Sequence, residues 1–165
     1  MASRAERTVA VFLAGLVLGS ILAVGAVATL QPSDEQISPD SPPYSVASAT
    51  GCVDAEPGWL HGVRADERTY VTSNVTVRHA ADETATLRLV HVSSGLYAAH
   101  ITVEQTDKQG SPPEGCTPGT TLDLSATLPG NATEVRLTHE GEVVATIDVS
   151  DGVGHDRVPV VNASA

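Results

Sequence analysis

The chain has 165 residues, enough for one compact domain plus an appendage. With 9 Lys+Arg against 20 Asp+Glu, its net charge of −11 excludes general affinity for nucleic acid, which requires a basic footprint. Aromatic residues make up only 3 %, so a core has to be built from Ala, Val, Thr and Leu.

Thr8 to Leu30 is a run of 23 residues without charge or proline. As a helix it reaches about 35 Å, enough to cross a hydrocarbon layer of about 30 Å. Arg4 and Arg7 precede it, and no further Lys or Arg occurs before Arg64. The positive-inside rule then predicts a single-pass protein of the cell membrane: residues 1–7 cytoplasmic, 8–30 a transmembrane helix, the C-terminal domain extracellular. A cleaved signal peptide is the rival reading, because Ala26-Val27-Ala28 fits a small-x-small site. Either route delivers the remainder to the outside. Gly15, Gly19 and Ala23 place small residues four apart, a face on which two such helices can form a homodimer.

Residues 31–50 are rich in Pro and Ser and lack apolar periodicity, which predicts a flexible stalk. From 51 to 149 the texture changes to short β-like runs between turns. A short strand is expected near Trp59 to Arg64, with Trp59 as the one large core residue. Thr69 to His79 alternates, with Val71, Val75 and Val77 on one face and Tyr70, Thr72, Asn74 and Thr76 on the other. After Ala80-Ala81-Asp82 the run Thr84 to Val92 turns Ala85, Leu87 and Leu89 inward, which predicts a hairpin pairing Val75 with Leu87 and Val77 with Ala85. Leu96 to Glu104 puts Tyr97, Ala99, Ile101 and Val103 on one face, and Leu122, Leu124, Ala126 and Leu128 alternate strictly with polar residues. Glu134 to Thr138 and Val143 to Val149 form a last hairpin around His139-Glu140-Gly141-Glu142, and 150–165 reads as a mobile C-terminal tail. About seven antiparallel strands in roughly 100 residues, with no helical pattern beyond the N-terminal run, predict an all-β sandwich.

Cys52 and Cys116 both fall on the outer side, where a lone pair forms a disulfide; it closes a loop of about 65 residues, worth roughly 4 kcal/mol. The three Asn residues, Asn74, Asn131 and Asn162, each open an Asn-x-Ser/Thr sequon and are candidate glycosylation sites.

The strand texture of 51–149, one Lys against eight Arg, and abundant Asp and Glu together resemble the small immunoglobulin-like or fibronectin-type ectodomains of haloarchaeal membrane-anchored proteins. That resemblance implies an immunoglobulin-like sandwich in an acidic, salt-adapted surface. It departs from antibody-type domains at Cys116, which follows Pro112-Pro113-Glu114-Gly115 instead of closing a Tyr-x-Cys, and at Trp59, only seven residues beyond Cys52. Cys52 is therefore expected to tie the domain's first residues to a long loop.

No catalytic, cofactor or metal motif stands out. His61, His79, His91, His100, His139 and His155 lack His-x-His or His-x3-His spacing, there is no Gly-x-Ser-x-Gly elbow, and a disulfide leaves no thiol nucleophile. The long segment Thr106 to Gly119, with three Pro and three Gly, is the best candidate binding loop. The expected function is a non-enzymatic, membrane-anchored interaction or structural module whose partner is a protein or another component of the cell envelope. The alternative is an extracytoplasmic protein, anchored or secreted, that binds a small ligand or a metal.

Overall fold

The structure, a computed structural model, describes residues 40, 42–54, 56–107 and 112–163. Ten strands follow in chain order: β1 (Tyr44–Cys52), β2 (Gly58–Ala65), β3 (Arg68–Arg78), β4 (Glu83–Ser93), β5 (Leu96–Gln105), β6 (Pro118–Pro129), β7 (Glu134–His139), β8 (Glu142–Asp148), β9 (Val153–Val158) and β10 (Val161–Asn162). They build two sheets. The larger runs β1-β6-β3-β2-β9, with β10 added beside β3; the smaller runs β4-β5-β7-β8. The N-terminal apolar run, with Gly15, Gly19 and Ala23, lies outside the described residues.

Alternation explains the layering. Leu60, Val71, Val75, Val77, Leu122, Leu124 and Leu128 point inward from the larger sheet, and Ala85, Leu87, Leu89, Tyr97, Ala99, Ile101, Val135, Leu137 and Ile147 from the smaller, forming one core. Apart from β1, eight of whose nine residues are exposed, each strand therefore buries one face and leaves the other to solvent, as a period of two dictates. Tight turns make two of the hairpins. β7 passes into β8 through Glu140 and Gly141, whose φ angles of 50° and 85° suit a two-residue turn that matches strand twist. β2 passes into β3 through Asp66, at φ 54°, and Glu67.

Four expectations are corrected. The count is ten strands, because the sheet takes in β1 from the predicted stalk and β9 and β10 from the predicted tail. The stretch from Tyr44 to Cys52 has no strong apolar alternation, yet it docks along β6 from Tyr44↔Ala126 to Cys52↔Pro118. Not every pair is antiparallel: β5 lies parallel to β7, and β10 parallel to β3. β3 and β4 do not pair at all; β3 belongs to the larger sheet and β4 to the smaller, so Val75 and Leu87 enter the core from opposite layers. An apolar face is satisfied equally well by a neighbour alongside or by a layer opposite, and alternation alone does not choose between them. Finally, Trp59 is not a core residue: it is 40 % exposed, and Tyr97 is the large aromatic of the core at 1 %.

Candidate functional site

Trp59 turns outward because Leu60 and Gly62, its neighbours of opposite parity, are the buried positions of β2. Strand register then orders the outer face of the larger sheet into rows. One row runs Arg157, Trp59, Asn74, Asp123, Ala47 across β9, β2, β3, β6 and β1. The next runs His155, His61, Thr72, Ser125, Ser45, and a third places Val153, Val63, Tyr70 and Thr127 side by side. Tyr70 is 46 % and Val153 67 % exposed.

The close approach of β2 to β3 under this face depends on Gly58, where an added Cβ would lie 1.9 Å from the Asn74 carbonyl oxygen. Asn74 Nδ2 donates to Asp123 Oδ1 at 2.7 Å, which fixes the amide against the sheet. A trough of about 400 Å³ flanks Trp59 on one side, lined by Asp54, Glu56, Pro57, Asn74, Thr76 and Thr121 among others. On its other side a cleft of about 280 Å³ is lined by Pro57, Gly58, His155 and Arg157. The face thus carries Trp59 and Tyr70 among charged groups of both signs, Arg157 on one side and Asp54, Glu56 and Asp123 on the other.

No family model, curated protein or solved structure matches the chain.

The six histidines separate into different settings, of which His139 is buried at the end of β7. His61 and His155 are register partners on adjacent strands, their ring centroids 6.0 Å apart, a proximity invisible to linear spacing because they stand 94 positions apart in the chain. Two imidazoles alone could hold a borderline metal through their ring nitrogens, with Arg157 in the neighbouring row opposing a cation. Among the described residues no group of three or more metal-ligating side chains occurs. His91 Nδ1 lies 3.1 Å from Asp40 Oδ1 and its ring packs on Tyr97 at 5.1 Å, whereas His100 Nδ1 lies 2.5 Å from Thr138 Oγ1. His91 and His100 are not register partners; they oppose Tyr97 and Arg88 respectively.

His79 is buried and joins the layers. Its Nδ1–H donates to the Ala80 carbonyl at 2.8 Å, and Nε2 lies in hydrogen-bond contact with Thr120 Oγ1 at 2.7 Å. Thr120 Oγ1 also receives the Ala85 amide at 3.3 Å and lies 3.0 Å from Thr50 Oγ1, which in turn lies 3.1 Å from Thr84 Oγ1. This pairing of hydroxyl and imidazole looks like a nucleophile and base, but Thr120 is fully buried. Its chemistry is structural: four hydroxyl and ring groups from both sheets satisfy one another.

Cys52 and Cys116 are joined, with Cα atoms 5.3 Å apart, tying the end of β1 to the loop before β6. Of the candidate binding loop, residues 108–111 lie outside the described residues; Pro112, Pro113 and Cys116 wall an apolar pocket of about 160 Å³ with His79 and Thr50 on its far side. The three sequon asparagines reach the surface from different settings. Asn74 is mid-strand in β3 and half-buried, Asn131 is exposed on the β6–β7 turn, and Asn162 is exposed in β10.

Two titratable groups are perturbed. Burial, and then the Asp40 charge, push the Tyr97 hydroxyl above its ordinary value. Hydrogen bonds from the Ser150 hydroxyl and amide hold Asp148 below the usual carboxylate range, with Arg64 adding to them.

Proposed function

We propose that the chain is a non-enzymatic interaction module of the outer cell surface. In this reading an immunoglobulin-like sandwich, carried by the N-terminal membrane segment and glycosylated at its sequons, presents the outer face of its larger sheet to a protein or another envelope component. One observation carries this reading. Of the four aromatic residues in the described region, Tyr44, Trp59 and Tyr70 stand 40 % or more exposed, and Tyr97 alone joins the aliphatic side chains of the core. In a domain so poor in aromatics, leaving the largest ones in water is the informative departure. Trp59 and Tyr70 also share one face with Val63 and Val153, the composition of a contact patch centre.

The test is a photo-crosslinking amino acid placed in the full chain at Trp59 or Tyr70, with Thr86 on the outer face of the other sheet as control. Discrete adducts from Trp59 and Tyr70, and none from Thr86, are expected in native membranes. Identical adduct patterns from all three positions would sink the assignment of the face. The intact mass of native protein before and after reduction tests the rest: full length, hexose-type additions and a gain of about 2 Da are expected.

The His61–His155 pair favours a second reading, a metal-binding surface. There, Zn²⁺ or Cu²⁺ raises the melting temperature of the wild-type chain and leaves His155→Ala unchanged. Equal shifts in both proteins eliminate that alternative.

A further inference from the structure

Trp59 is the only tryptophan of the chain, and it stands 40 % exposed as the register partner of Asn74. Directly opposed residues of an antiparallel pair hold their Cβ atoms about 5 Å apart. Gly58 permits that approach, since a Cβ there would strike the Asn74 carbonyl. The trough of about 400 Å³ beside the indole is lined by both defining residues of the first sequon, Asn74 and Thr76. Its other walls include the exposed carboxylates Asp54 and Glu56. Asn162 has a different setting: the cleft of about 300 Å³ that it borders carries Arg78, His79 and Glu83 but neither an indole nor a phenol.

Asp123 sets the direction of the Asn74 amide. The row runs Trp59, Asn74, Asp123, so the carboxylate lies on the side away from the indole, and it takes one N–H of Nδ2 at 2.7 Å. The nitrogen is trigonal, so its second N–H points away from Asp123, and it has no partner among the described residues.

We infer that the trough is the seat of an N-linked glycan on Asn74, whose first ring, a neutral pyranose, lies against Trp59. This rests on the outward, glycosylated placement proposed above and names what the first sequon does on the presented face. Transfer replaces the second N–H. Nδ2 bonds to the anomeric carbon of the sugar, and the bond from that carbon to a lipid-linked phosphate breaks. The phosphate leaves with the electron pair, and the amide proton passes to a base. The N–H held by Asp123 stays. Because β3 is flanked by β2 and β6 once folded, transfer precedes closure of the sheet.

Tether, shape and charge select this occupant. A ring bonded to Asn74 is held at high effective concentration beside Trp59, whereas a free ligand must first lose its translational freedom. The negative face of an indole attracts the polarised C–H groups on one face of a pyranose. Sugar hydroxyls find acceptors in Asp54 and Glu56, and the same carboxylates turn an anionic ring away. The volume, room for about a dozen waters, suffices for one ring with its hydroxyls. The cleft with His155 and Arg157 leaves the other side of Trp59 open to a partner.

With one tryptophan in the chain, intrinsic fluorescence reports on Trp59 alone. Full-length protein from its native membranes is expected to carry a hexose-type mass on the peptide that holds Asn74. Thr76→Val keeps the β-branched shape and destroys the sequon. It is expected to lose that mass and to raise the quenching of Trp59 by acrylamide about twofold, since the sugar covers one of the indole's two faces. Thr76→Ser, which keeps the sequon, is expected to keep both the mass and the weak quenching, and Asn131→Gln to leave the quenching unchanged. Wild-type chain made in cells that do not N-glycosylate should quench like Thr76→Val. An unmodified Asn74 beside a glycosylated Asn131 or Asn162, or an Asn74 glycan whose loss leaves the quenching unchanged, overturns this inference alone. Sugar on none of the three overturns it together with the glycosylated placement on which it rests.

Discussion

Thr120→Val tests whether the buried hydroxyl–imidazole chain holds the two layers together. Valine keeps the shape of threonine and removes only Oγ1. Three bonds go with it, to His79 Nε2, to Thr50 Oγ1 and from the Ala85 amide. Thr50 is exposed and recovers a water, but the other two groups are buried. Ala85 has no second choice, because the even residues of β4 face β5, as the Thr106 amide bonded to the Asp82 carbonyl shows, and Ala85 faces away. An orphaned buried donor or acceptor costs about 1–3 kcal/mol; with the long Ala85 bond at the low end, the substitution is expected to cost about 2–3 kcal/mol. His79→Phe alone leaves Thr120 with Thr50 and Ala85 and frees an exposed carbonyl at Ala80, a loss of about 1 kcal/mol. In the double variant no unsatisfied imidazole nitrogen remains. Its cost should fall below the sum of the singles by about 1 kcal/mol. Urea unfolding measures this, since a slope of about 1.5 kcal/mol/M turns the Thr120→Val loss into a midpoint drop of about 1.5–2 M. Additivity within about 0.4 kcal/mol, or a Thr120→Val cost below about 0.5 kcal/mol, refutes the reasoning.

Three further outcomes are expected. Replacing both cysteines by alanine releases a loop closed over a sequence separation of 64 and should cost about 4 kcal/mol, a melting drop of roughly 15 °C by calorimetry. Arg64→Lys should cost about 1–2 kcal/mol in chemical unfolding, because one ammonium cannot replace the two guanidinium nitrogens that bond separately to the Ser150 and Ala132 carbonyls. The two perturbed groups each add a pH dependence to stability. Asp148 is more acidic folded than unfolded, so its contribution is complete above its unfolded value of 3.8 and is lost as pH falls through the folded value. Tyr97 is less acidic folded, so its contribution holds below 10.0 and is lost as pH rises through the folded value. Stability profiles of Asp148→Asn and Tyr97→Phe should therefore flatten at the acid and alkaline ends respectively; unchanged limbs would refute these assignments.

Much of the sandwich is legible in the sequence. Val71, Val75 and Val77 against Tyr70, Thr72 and Asn74, or Leu122 to Leu128 against their polar neighbours, announce strand and buried face together, because side chains alternate on any extended backbone whatever it pairs with. The candidate site is less legible. Trp59 reads as core on size and hydrophobicity, and only the burial of Leu60 and Gly62 shows which parity of β2 faces inward. Along β2 Trp59, His61 and Val63 share one parity and Leu60 and Gly62 the other, so alternation in this short stretch does not by itself turn Leu60 inward.

What the sequence by itself determined is local or singular: the strands and their faces, set by a period of two, and the one disulfide that a lone cysteine pair permits. Tertiary structure alone decided the rest. It parted β3 from β4, set β5 parallel to β7, drew the first and last strands into the sheet, and brought His61 to His155 and Thr120 to Ala85. The physical reason is that an apolar face states that it must be covered but not by what. The partner is selected by summed long-range packing and by where outward backbone groups find hydrogen bonds, and neither is written in any short stretch of the chain.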